Sequence, residues 1–136
     1  MKRYKAYFQI VITIIITVNI TFSLISEYRT RKDFIEFLEN ANSNMVIYVN
    51  GRKIANVRKI VNMLIKIRTW NPYPLTTTDT EYVILLNNNI NKSITIILRQ
   101  YKNRDDLYWV YIKNSNEKLN RIGMIMSKKI EFTYIR

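Results

Sequence analysis

The 136-residue sequence has no cysteine and no histidine, and only two glycines and two prolines. Without cysteine there are no disulfides, thiolate metal sites or cysteine nucleophiles, and no lipid-modified cysteine anchor. Without histidine the commonest general base and metal ligand are gone. Gly51 and Gly123 cannot build a phosphate-cradling loop. No serine sits in Gly-x-Ser-x-Gly. Asp105 and Asp106 are neighbours in a turn between strand-like runs, so their carboxylates point apart and form no catalytic dyad. With Asn103 they also lack the glycine and terminal glutamate of a calcium loop. The sequence therefore assigns no catalytic, metal or cofactor-binding residue, and the expectation is a protein that is not an enzyme and needs no cofactor.

What is present begins with an uncharged stretch at residues 6–25, opening on Ala6, passing Ile15 near its middle and closing on Ile25. A hydrocarbon core of about 30 Å takes about 20 apolar helical residues to cross. Lys2, Arg3 and Lys5 precede the stretch and form a basic n-region at residues 1–5. No small-x-small cleavage site follows, and the apolar run is longer than that of a cleaved signal peptide, so an uncleaved signal-anchor is expected. Lys5 abuts the span while Arg29 lies four residues beyond it, which favours a cytoplasmic N-terminus and an extracytoplasmic C-terminal domain on a single-pass protein of the cell membrane. Asn19 is the costliest polar residue in the span; it is either tolerated alone or bonds a second helix, as in a homo-oligomer.

The net charge is +12, and from Ser26 onward 19 basic residues against 10 acidic ones leave +9. Such a field favours anionic partners such as lipid or wall polymers. Isoleucine, asparagine, lysine and tyrosine, all encoded by A/T-rich codons, crowd the chain, so codon bias is the other source of this charge.

Residues 26–44 read as a juxtamembrane helix and linker, with Thr30 and Asp33 at a capping-like spacing. Residues 45–136 read as one α+β domain. A strand at 45–49 leads to Asn50-Gly51, the strongest two-residue hairpin signal, and a return strand at 52–55. Residues 56–67 form the clearest helix, with Asn56 as N-cap and a broad apolar arc of Val57, Ile60, Val61, Leu64 and Ile67 that suits a helix lying across a sheet. A proline-pinned loop at 68–80 carries Trp70 and Tyr73. Strands follow at 81–86, 92–101, 107–112 and 119–126, and the tail at 128–135 alternates like a strand or caps a last helical turn. The expected fold is an antiparallel sheet of four to six strands with one helix on one face.

Two surfaces follow from this layout. Trp70, Tyr73, Arg104, Tyr108, Trp109 and Tyr111 interleave aromatics and cations in the pattern of an interface with another protein. Arg58, Lys59 and Lys66 line the polar side of the helix as contacts for a polyanion. The RNA-recognition signature is absent, so nucleic acid is not the expected partner.

Ile47-x-Val49-Asn50-Gly51, Lys59-Ile60-Val61-x-x-Leu64, Tyr82-Val83-Ile84 and Ile94-Thr95-Ile96 together resemble the small extracytoplasmic domains that Gram-positive bacteria display as lipoproteins or signal-anchored proteins. That resemblance implies an envelope-facing binding or accessory module, here held by the uncleaved helix because the lipoprotein cysteine is missing. The order of apolar helix and antiparallel sheet is also similar to minor pilin subunits, although their glycine processing site and following glutamate are missing. Two alternatives remain: a cytosol-facing basic domain on anionic lipid or nucleic acid, and a subunit of a larger secretion, conjugation or pilus-like membrane complex.

Overall fold

The computed structural model describes residues 2–40, 44–68, 76–88 and 92–136. The expected loop carrying Trp70 and Tyr73, residues 89–91 and part of the expected break after the first helix lie outside them.

The first element is one helix, α1 (Lys2–Asn40), 39 residues long, or about 58 Å at 1.5 Å per residue. It is long and apolar enough to cross a membrane, and that apolar part is unburied. Three of its threonines bond back within the helix: Thr13, Thr17 and Thr21 donate to the carbonyls of Gln9, Thr13 and Thr17 at 2.8–2.9 Å. Asn19 does the same, its amide donating to the Ile15 carbonyl at 2.8 Å. Thr30 corrects the sequence reading. It begins no new helix, because its hydroxyl donates to the Ser26 carbonyl, four residues back in an unbroken helix. A threonine serves as a cap or bonds back within a helix, and spacing alone does not separate the two.

Six antiparallel strands form one sheet: β1 (Val46–Val49), β2 (Arg52–Lys53), β3 (Thr77–Asn87), β4 (Ser93–Tyr101), β5 (Arg104–Lys113) and β6 (Leu119–Met126), in the order β2-β1-β3-β4-β5-β6. The Asn50-Gly51 turn has φ of 49° and 80°, as a type I′ hairpin requires. β3 starts earlier than expected, at Thr77, and an irregularity between Thr77 and Glu81 lets the threonines join the ladder. Alternation then divides the side chains. Ile47, Val49, Ile84, Leu86, Ile96, Leu98, Tyr108 and Val110 lie in the main core, while Tyr101, Leu107, Trp109 and Met124 form a smaller cluster.

Three segments complete the main core. The C-terminal part of α1 supplies Phe34, Phe37 and Leu38. α2 (Val57–Ile65) buries Ile60 and Leu64. The tail contributes Ile130, with Phe132 and Tyr134 packed against the cluster and the Phe132 ring 5.1 Å from that of Tyr82. The tail is neither a full strand nor a helical turn. It runs extended and bridges back to the first hairpin, Tyr134 opposite Ile54. Asn56 holds the N-cap position of α2, but its side chain makes no capping bond. Its side-chain amide donates to the Glu131 carbonyl at 2.8 Å, and its oxygen accepts from the Thr133 N–H at 3.0 Å.

α1 meets the sheet at β6 and moves away from that edge as it continues. Glu27 pairs with Arg121 of β6, Arg31 donates to the Ile122 carbonyl at 3.0 Å, and Phe37 lies under the ammonium of Lys92 before β4. α2 runs the other way, from the β2 side to an antiparallel bridge between Arg68 and Met124 on the outer side of β6.

Candidate functional site

The structure separates the residues that the sequence grouped. Tyr108 and Trp109 are 4% and 1% exposed, so neither side chain is offered to a partner. As consecutive strand residues they point to opposite faces, and each face is covered where they lie. Burial pushes the Tyr108 phenol above the usual tyrosine range. Arg104 makes a two-point contact with Asp106, Nε to Oδ1 at 2.9 Å and a terminal nitrogen to Oδ2 at 2.6 Å. Tyr111 is half-buried beneath the Arg99 guanidinium, 5.2 Å from the ring centroid. Arg58, Lys59 and Lys66 are exposed along α2 and just beyond it, with the Lys59 ammonium 3.7 Å from Glu131. Trp70 and Tyr73 fall outside the described residues.

A different set of side chains converges where α1 first touches the sheet. Phe22, Ser23, Ser26, Glu27 and Thr30 on the helix face Tyr111, Leu119, Asn120 and Arg121 across an open cleft of about 410 Å³. The helix contributes Ser23, Ser26, Glu27 and Thr30 because i, i+3, i+4 and i+7 share one face. β5 and β6 supply the other wall through Tyr111 opposite Arg121. A second hollow of about 160 Å³ shares Phe22, Ser26 and Thr30 and adds Arg29 and Asp33.

Arg121 is the central charge of this cleft. Its guanidinium lies 3.7 Å from the Glu27 carboxylate and 5.3 Å from the Trp109 ring centroid. The indole N–H of Trp109 is buried and has no hydrogen-bond partner among the described residues. Behind the cleft, Arg31 is 8% exposed and ties the helix to the β6 backbone. The chemistry on offer is a guanidinium, the Glu27 carboxylate, three hydroxyls, a phenol and an amide, with Phe22 and Leu119 as apolar walls. That is a set for holding a polar or charged group. Among the described residues no cluster of three carboxylates gathers to hold a metal.

Sequence reasoning missed this cleft because its walls are some ninety residues apart in the chain. One signal was present: the polar stripe Ser23, Ser26, Glu27 and Thr30 at helical spacing, immediately after the apolar run. Comparison with protein-family models, curated proteins and solved structures returned no match.

Proposed function

We propose that this chain is a signal-anchored, single-pass protein whose α+β domain serves as a non-enzymatic binding or accessory module on the extracytoplasmic side of the cell envelope. The carrying observation is the continuity of α1: its exposed apolar part and its core-packed end belong to one helix with no linker between them. The missing small-x-small cleavage site favours keeping that helix as the anchor. The basic n-region next to the span favours a cytoplasmic N-terminus. Asn19 is bonded to its own helix backbone, so the span needs no second helix to satisfy that donor. This weighs against the reading as a subunit packed through Asn19.

The test is a reporter fused after Arg136 that is active only outside the cytoplasm, combined with alkaline carbonate extraction of the membranes. An active reporter on protein that stays with the membrane is the expected result. An inactive reporter on membrane-retained protein moves the basic domain to the cytosol, and release by carbonate overturns the anchor itself.

A further inference from the structure

We propose that the cleft between α1 and β6 seats the headgroup phosphate of an anionic phospholipid. The proposal rests on reading residues 6–25 as a span. At 1.5 Å per residue Glu27 stands about 3 Å, and Arg31 about 9 Å, beyond Ile25. The polar layer on each side of the hydrocarbon is about 5–7 Å deep. The cleft, lined from Phe22 to Thr30, therefore opens at headgroup depth. Because α1 enters the core without a linker, the domain has no slack by which to lift the cleft off the surface.

The lining matches that depth. Phe22 and Leu119 supply apolar surface on the side of the acyl chains, and Ser23, Ser26, Tyr111 and Asn120 supply hydrogen-bonding groups. Arg121 supplies the counter-charge, and its contact with Glu27 at 3.7 Å is long enough for a phosphate oxygen to compete. Arg29 is exposed beside the adjoining hollow, and Lys118 is exposed next to Leu119. Neither takes part in an ion pair among the described residues. Three cations thus stand against two acids, Glu27 in the cleft and Asp33 in the adjoining hollow, which leaves the local charge positive. A zwitterionic lipid brings its own ammonium into this field, whereas an anionic lipid brings none. An acidic peptide would find the Phe22 side of the cleft closed by the bilayer.

The absence of cysteine allows a clean test on the full chain reconstituted in vesicles. A fluorophore is placed at Asn120→Cys in the cleft and, separately, at Lys53→Cys on the far hairpin. Quenching by aqueous iodide is then compared between phosphatidylcholine vesicles and vesicles containing phosphatidylglycerol. Phosphatidylglycerol should protect the Asn120 position and leave the Lys53 position unchanged. Arg29→Gln, Lys118→Gln and Arg121→Gln should each lower the preference for anionic lipid by about fivefold. The Arg29 and Lys118 changes touch no packed side chain, and unchanged melting of each variant establishes that the fold is intact. Equal quenching in both vesicle types, or protection that survives all three changes, overturns the site. Protection by dissolved glycerol phosphate over phosphatidylcholine overturns the lipid as the occupant. Protein that fails to float with the vesicles overturns the span, and the site with it; protein that floats and shows no dependence on lipid charge overturns the site alone.

Discussion

Asn56 holds backbone that is 75 and 77 residues away, through one donated and one accepted hydrogen bond. Asn56→Ala removes both, so stability should fall by about 1 kcal/mol in urea unfolding, and the Thr133 amide should lose hydrogen-exchange protection. The two glycines give a contrast at the same scale. Gly51, at φ +80°, faces open space, so Gly51→Ala should cost only the strain of a left-handed alanine, about 1 kcal/mol. At Gly123, with φ +151°, an added Cβ would run into the Arg68 carbonyl and lie 2.6 Å from the Ile67 side chain. Gly123→Ala should therefore cost more, about 1–3 kcal/mol beyond the backbone strain, and should open the bridge between Arg68 and Met124. Thermal melts of the two variants side by side check the order. Asp106 gives a pH prediction. Its hydrogen bond from Arg104, reinforced by the positive charge and opposed by desolvation, holds its pKa below the ordinary aspartate range. A carboxyl lowered in the fold stabilises the protein above its unfolded pKa, and that contribution is lost as pH falls through the lower folded value. An NMR titration should show the low midpoint, and Arg104→Gln should raise it.

Among the elements, α1 joins two environments. Phe34, Phe37 and Leu38 are 1%, 6% and 2% exposed. At about 1.5–3 kcal/mol each, their burial is comparable to the whole stability of an ordinary domain. A chain beginning at Ser26 should fold and melt cooperatively, whereas one beginning at Asn44 should not; circular dichroism of the two decides this. The strands and the Asn50-Gly51 hairpin were legible in the sequence because each rests on residues one or two positions apart: alternation, or the positive φ that only a few residues accept. The membrane-length helix was legible as length and absence of charge. The docking of α1, the return of the tail and the cleft were not, because they depend on pairs such as Glu27 with Arg121, Asn56 with Glu131 and Arg68 with Met124. No local pattern records such pairs. Asn56 itself was read as a cap because an asparagine ahead of a helix is usually one, yet here the tail backbone takes both of its amide groups. The sequence leaves Trp109 and Tyr108 as either partner contacts or packing within the sheet, because aromatic-rich strands serve both, and here both faces of the sheet are covered at those positions.

At the scale of the molecule, α1 is a stiff post from the apolar segment to the core. The sheet crosses it with β6 near the segment and the β1–β2 hairpin at the opposite edge. A post without a joint is also a lever. If the bilayer thins and the span leans to keep its apolar length covered, the domain leans with it. Phe37 stands about 18 Å beyond Ile25, so a lean of about 10° carries that level sideways by roughly 3 Å, and the hairpin beyond it further. If α1 spans a bilayer, the far edge of the sheet registers its thickness, and a change in lipid becomes a displacement of the β1–β2 hairpin.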